Sequence, residues 1–357
     1  MKSRSVMSSP RSRALRAGLT ALIGLGATLS LGGPATAAGT TYVALGDSYS
    51  SGTGTRTYIS DGTTCQRSVY AYPALDASAL GLALNFRACS GARIADVTNT
   101  QLSALTSTTA YVTISVGGND AGFASVLTTC AQPSWASNCN GAIDTAQSTI
   151  TSTIPGRLAT LYSSIRAKAP SARVIVVGYP RIFNGEDCNA FTWFSPTEES
   201  RLNATADLLN ARTATAAANA GFTFVNPTSR FVGHAVCDSV EWLNGLSNPT
   251  SESYHPSIAG HRDGYAVVTK PAFGLTSTLS AANAEAKAVA SADSLARDAR
   301  RYAAVDRAIT PERFVAPDLT TPEVRAAAAR AGVDLSSRAS IDAADRIYAA
   351  RQDAARR

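Results

Sequence analysis

Apolar positions between residues 40 and 226 fall in five short runs separated by longer mixed stretches. The runs are "TTYVALG" (40–46), "LALNFRA" (82–88), "AYVTISV" (110–116), "ARVIVVG" (172–178) and "GFTFVN" (221–226), each β-branched or aromatic. Most are nearly continuously apolar rather than alternating, the pattern of parallel strands covered on both faces. Helix-compatible stretches lie at 69–81, 141–169 and 196–220. The last carries a clear start signal, with Ser195 as cap, Pro196 at the first helical position and Glu198 completing an S-x-x-E capping box. Gly221 ends it. Alternating strands and helices predict right-handed βαβ units, hence an α/β domain of three layers, α/β/α, over 38–275 with a central parallel five-stranded sheet.

Ligands of such sheets bind beyond the carboxyl ends of the strands. Three glycine-bearing polar turns are predicted there: "GDSYSSG" (46–52) after the first strand, "CSGA" (89–92) after the second and "VGGND" (116–120) after the third. Ser48 is therefore a candidate nucleophile, and a serine nucleophile needs a base.

Only three histidines exist, His234, His255 and His261. His234 lies beside a half-cystine in "VGHAVC", and "AGHRDG" around His261 reads as a helix or turn surface. His255, in "SESYHPS", precedes Pro256, which biases it toward an extended conformation and suits the start of a short helix. A base also needs a group that accepts from its other ring nitrogen. Glu252, three residues upstream, is the side-chain candidate, and the Ser253 main-chain carbonyl is the alternative. Gly91 would let a backbone N–H approach a developing oxyanion, and Asn119 would supply a side-chain amide.

Composition and charge change the picture at the two ends. Residues 1–37 carry five basic and no acidic side chains, an apolar run at 17–33 and "ATA" at 35–37. That is the plan of a secretory signal peptide, with the mature chain expected to begin near Ala38. The formal charge of +6 comes largely from this leader, since residues 38–280 hold 14 Lys and Arg against 15 Asp and Glu. Net charge thus suggests no nucleic-acid partner, and no other run reaches the ~20 apolar residues of a membrane span. The protein is expected outside the cell and as a monomer.

Six cysteines follow the leader, at 65, 89, 130, 139, 188 and 237. In an exported chain they read as up to three disulfides, for which 15 connectivities exist. Pairing in chain order closes the shortest loops. No C-x-x-C pair occurs and histidine is scarce, so neither a metal site nor a cofactor is expected. Residues 276–357 form an Ala/Arg-rich extension, with 25 alanines and 12 arginines among 281–357. It has high helix propensity and little to bury, so weakly packed or partly disordered helices broken near Pro311, Pro317 and Pro322 are expected.

Ser, Gly, Asn and His in this order, the first three each at a strand end, resemble the SGNH hydrolases, also called the GDSL family of lipases and esterases. "GDSYSSG", "CSGA", "GGND" and "SYHP" are similar to the family's successive blocks. Over about 40–270, including the six cysteines, "GYPR" (178–181) and "WLN" (242–244), the chain resembles secreted lipases and phospholipases of Streptomyces and its relatives. The resemblance implies the flavodoxin-like SGNH fold, Ser48 as nucleophile, and His255 as base. It implies an oxyanion hole from Ser48, Gly91 and Asn119, and the disulfides 65–89, 130–139 and 188–237. The family's usual Asp three residues before the histidine is Glu252 here, and in similar enzymes a main-chain carbonyl can replace the carboxylate. A nucleophile elbow is excluded, since no serine has glycine two positions away on both sides.

The expected activity is lipase action on acylglycerols, with phospholipids or short esters as alternative substrates. Tyr58, Tyr72 and Trp135, in the loops 57–72 and 126–139, are candidates to line an acyl groove. The rival readings are polysaccharide deacetylation and a non-enzymatic exported scaffold.

Overall fold

A computed structural model describes residues 40–277 and 279–356. The expected leader and its cleavage site lie outside the described residues. The five runs form the strands β1 (Thr41–Gly46), β2 (Ala83–Phe86), β3 (Tyr111–Ser115), β4 (Arg173–Val177) and β5 (Thr223–Val225). They make one sheet in the order β2-β1-β3-β4-β5, parallel at every pairing. The chain moves outward from β1 to β2, then crosses back to β3, so the order reverses beside β1. That reversal opens a crevice at the carboxyl ends of β1 and β3, where ligands of such sheets bind.

Helices cover both faces. Tyr72–Leu80 begins with Pro73 in its first turn and stops at Gly81 in the left-handed region. The stretch expected to be one helix over 141–169 is two, Cys139–Ser152 and Ile154–Lys168. Pro155 accounts for the break, because a proline fits the first turn of a helix and not its interior. Pro196–Asn219 starts with the full reciprocal capping box of Ser195 and Glu198. Val112, Ile114, Val174, Ile175, Val176 and Val177 are buried in the sheet beneath these helices. Disulfides join Cys65 to Cys89, Cys130 to Cys139 and Cys188 to Cys237.

The C-terminal extension departs from the expectation of weak packing. It folds into helices Ala281–Ala290, Ala292–Arg300, Pro322–Ala331 and Arg338–Ala354. Some of its sparse apolar side chains turn inward, while Val289, Val305, Val315 and Ile347 stay exposed. Ala288, Leu295, Ile309 and Phe314 join the main core, while Ala327, Ala328 and Ile341 surround Trp135 and Trp193 in a second cluster. Trp135 is thus packing and not groove lining.

The extension's deepest anchor is polar. Asp306 accepts from Arg87 at 2.8 and 3.0 Å and from Arg67 at 2.6 Å, and Arg67 also pairs with Asp61 at 2.6 Å. Both arginines and Asp306 are sealed from solvent, and the Arg87 guanidinium lies 3.8 Å from the Tyr302 ring centre. Removing one partner of a buried ion pair leaves charge uncompensated and costs about 3–5 kcal/mol. We therefore expect Asp306→Ala to lower unfolding free energy by about that amount in urea, with disulfides intact. An unchanged midpoint would mean the extension is not part of the cooperative fold.

Candidate active site

The site begins where β1 stops. Gly46 has φ +126°, and a Cβ there would lie 2.4 Å from the Ser115 carbonyl oxygen, so only glycine fits. Its N–H donates to Gln101 Oε1 at 2.7 Å, and its carbonyl accepts from Gln101 Nε2 at 2.8 Å and from the Cys89 N–H at 3.0 Å. The Asp47 N–H then donates to the Ser115 carbonyl at 3.0 Å. Backbone after β1 is thereby tied to backbone after β2 and to the end of β3.

Asp47 caps the turn of helix Ser48–Ser51, accepting from the Tyr49 N–H at 3.0 Å and from Tyr179 Oη at 2.5 Å. Burial pushes its carboxyl up to about 7 against these hydrogen bonds. Tyr179 is itself held by Asn210, which binds its N–H and its carbonyl at 2.8 and 2.7 Å. Asp47 lies in "GDSYSSG" and Tyr179 in "GYPR", yet the sequence alone assigns a role to neither.

Ser48 Oγ lies 2.8 Å from His255 Nε2, across 207 residues of sequence. His255 Nδ1 lies 2.8 Å from the Ser253 carbonyl oxygen. A carbonyl can only accept, so Nδ1 carries the proton and the Nε2 lone pair faces the serine hydroxyl. The loop is pinned from several sides: Tyr49 Oη donates to the Tyr254 carbonyl at 2.7 Å, and Asn244 exchanges backbone bonds with Tyr254 and His255 at 2.9 Å. Tyr254 sits at φ +60°, uncommon for a bulky residue and consistent with a tightly constrained loop.

Glu252 does not reach the histidine. Its buried carboxylate accepts from Tyr58 Oη, and its other oxygen has no partner among the described residues. Of the two expected orienters, only the Ser253 carbonyl contacts His255. Tyr58, expected near the groove, instead serves this loop, and Tyr72 is fully buried.

His255 is crowded by the Tyr49 and Phe123 rings, with centroids at 5.2 and 5.8 Å, and keeps a partly open edge. This loss of hydration pushes its pKa down to about 4, the Ser253 carbonyl opposing the shift. The imidazole is therefore neutral and able to accept a proton at physiological pH. His261, expected on a surface, is buried beside the Tyr72 and Tyr265 rings, and its Nδ1 accepts from the Tyr72 N–H at 3.3 Å. His234 stacks on Trp242 at 3.7 Å and bonds the Val240 carbonyl.

Gly91 and Asn119 line the same cavity as Ser48 and His255. Neither the Ser48 nor the Gly91 N–H donates to another group among the described residues. Asn119 Nδ2 donates one hydrogen to the Ala92 carbonyl at 3.0 Å, which leaves its second hydrogen for a ligand. Asp120 ties the third turn to the second by accepting from the Ile94 N–H at 2.9 Å.

An apolar cavity of about 80 Å³ adjoins this centre. Tyr49, Phe123, Val126, Tyr179, Leu202 and Ala206 are among its walls. Phe123 borders both cavities, and Tyr49 and Gly118 neighbour Ser48 and Asn119 in sequence. Tyr49 and Tyr179 lie in the blocks "GDSYSSG" and "GYPR", but the sequence assigns none of these wall residues to a pocket, because each reads as ordinary core. Among the described residues, the one cluster of potential metal ligands is Cys188, Cys237 and Glu241, whose sulfurs are joined in a disulfide. No helix of the described residues is long and apolar enough to cross a membrane.

Comparison with known proteins identifies the family. Residues 44–262 match the GDSL-like Lipase/Acylhydrolase family. Lipase 1 of Streptomyces coelicolor is 46% identical over 242 residues, covering 67% of this chain and 88% of that protein. The crystal structure of an extracellular lipase from Streptomyces rimosus superposes with TM-score 0.62 at 43% identity, covering 65% of this chain and 99% of that one. The phospholipase A1 of Streptomyces albidoflavus gives 0.62 at 44% identity, over 66% and 99% respectively. With the four motif blocks gathered at one sheet edge and this likeness over two thirds of its length, the chain belongs to the GDSL-like lipase/acylhydrolase family of ester hydrolases.

Proposed function

We propose that this chain hydrolyses fatty-acyl esters through an acyl-enzyme on Ser48. The observation that carries this reading is the 2.8 Å contact of His255 Nε2 with Ser48 Oγ, with a carbonyl on the opposite ring nitrogen. In the proposed cycle, Ser48 Oγ attacks the ester carbonyl carbon as His255 Nε2 takes the hydroxyl proton. The carbonyl oxygen becomes an oxyanion among the Ser48 N–H, the Gly91 N–H and the free Asn119 hydrogen. Collapse expels the alcohol, which receives the proton from His255. Water, activated by the same ring, attacks the acyl-serine, and the proton returns to Ser48 Oγ. The Ser253 carbonyl holds the ring tautomer and stabilises the imidazolium formed midway, with no part for Glu252 in the proton transfers.

The apolar cavity beside Ser48 supports an acyl chain as the part of the substrate it holds. We favour acylglycerols as substrates, with glycerophospholipid as the second reading suggested by the similar phospholipase A1. Three disulfides suit a protein working outside the cell, and we take it to act there as a monomer.

The roles divide by experiment. Ser48→Ala should abolish turnover of p-nitrophenyl esters. Asn119→Ala should lower kcat about 10²–10³-fold, the typical cost of one oxyanion donor, and a loss below threefold would remove Asn119 from the role. Glu252→Gln should leave kcat within about threefold, whereas a wrong ring tautomer costs about 10⁴-fold. A drop of that size would return the orienting role to the carboxylate.

Filling the apolar cavity with Ala206→Phe should shift the preferred p-nitrophenyl ester toward shorter acyl chains. An unchanged chain-length profile would place the acyl group elsewhere.

Acid behaviour follows from His255. Its folded pKa near 4 lies below the unfolded value of about 6.5. Between those values the unfolded chain binds the proton first, so acidification through this window costs stability through His255. NMR titration of the imidazole should show it neutral down to about pH 5. A midpoint between pH 6 and 7 would place the ring in open solvent.

A further inference from the structure

Residues 309–318, between the helices of the C-terminal extension, belong to no helix or strand and pass beside the site. Pro311 lies directly against Gly91: a Cβ built on Gly91 would come within 2.4 Å of Pro311 Cα. Phe314 is buried with its ring edge-on to Tyr254, centroids 5.0 Å apart, one residue before His255. The Val315 N–H donates to Thr128 Oγ1 at 2.9 Å, and Glu312 pairs with Arg93 at 3.3 Å on the surface.

Pro311, Glu312, Arg313 and Phe314 thereby complete the walls around Ser48, Gly91, Asn119 and His255. The space left among these residues is about 30 Å³. That is room for a water or two, against ~300 Å³ or more for a pocket that receives a small-molecule ligand. Attack requires an ester carbonyl about 3 Å from both the nucleophile and the oxyanion donors. Pro311 occupies the Gly91 side of that volume.

We propose that residues 310–316 are an autoinhibitory strap, which closes the ester site and must lift from Gly91 before substrate enters. The inference rests on the ester-hydrolase reading above. The strap's construction suits such motion. Upstream it is fixed by Asp306 between Arg67 and Arg87, and downstream by the helices packed on Trp135 and Trp193. Between these anchors it belongs to no helix or strand, and Glu312, Arg313 and Val315 are exposed. Apart from Phe314, Pro311 and Ala316, the segment makes few buried contacts between two firm ends, and such a segment opens at lower free energy than the body that carries it. The residues matched to the family end at 262, so the strap is supplied by sequence beyond the matched region.

The test uses the full oxidised chain. kcat/KM for p-nitrophenyl butyrate is compared among the wild type, Glu312→Gln and Phe314→Ala, with Ser48 labelling by a small methylphosphonate followed by mass spectrometry. Loss of the exposed Arg93 pair should raise kcat/KM about two- to fivefold, as expected for a surface ion pair holding a closed state. Loss of the Phe314 anchor should raise it at least tenfold. Should Phe314→Ala prove unfolded by circular dichroism, Glu312→Gln decides alone, since its side chain lies on the surface. Rates equal to or below wild type in the folded variants, with Ser48 labelled in all, would overturn the strap and leave the ester-hydrolase reading standing. Absence of both turnover and labelling in every form would overturn that reading and the strap with it.

Discussion

The site depends on a single constraint, the point at which β1 must end. Gly46 has no space for a side chain beside Ser115, and its N–H and carbonyl are both consumed by Gln101. The next peptide, at Asp47, is fixed on the end of β3. Because β2 and β3 flank β1 in the sheet, the three turns that follow them emerge side by side. A nucleophile on the first turn and donors on the other two are then neighbours by topology. Little further folding energy is needed to assemble them.

The fourth member comes from far along the chain and is held by different means. His255 sits in a loop whose backbone is bonded to Asn244 and whose Tyr254 carbonyl accepts from Tyr49, the residue after the nucleophile. A carbonyl from its own loop fixes the ring tautomer, so no carboxylate charge has to be buried beside the imidazole. Desolvation keeps the ring neutral until a proton arrives from Ser48, while the same carbonyl, which opposes that shift, steadies the imidazolium once it forms. The extension adds a second level. A buried cluster of two arginines and two aspartates secures it, and that same security lets the intervening segment rest on the catalytic turn without being part of a helix or strand.

Much of this was legible in the sequence, for reasons of range. The five strands are local apolar runs, the Ser195–Glu198 box is a four-residue pattern, and the motif turns lie at strand ends. Each signal is complete within a dozen residues. What the sequence hid is long-range. Asp306 is 219 residues from Arg87 and 239 from Arg67, so an Ala/Arg-rich segment with few apolar residues read as loosely packed. Glu252 stands at the family's carboxylate spacing, yet its carboxylate turns to Tyr58, 194 residues away. His261, Tyr72 and Trp135 were open to surface or groove readings because burial by a distant element leaves no local trace. The apolar cavity walls were hidden for the opposite reason, since a residue facing an acyl site and one facing core carry the same apolar character.

The central claim is that Ser48 becomes acylated in turnover. It is tested most directly by quenching the full chain in acid during hydrolysis of a p-nitrophenyl ester and locating the acyl group by peptide mass spectrometry. The account predicts one acyl adduct on the peptide bearing Ser48, formed in step with a burst of nitrophenol and absent in Ser48→Ala. Turnover with no adduct at Ser48, or an adduct on a different residue that persists in Ser48→Ala, would contradict it.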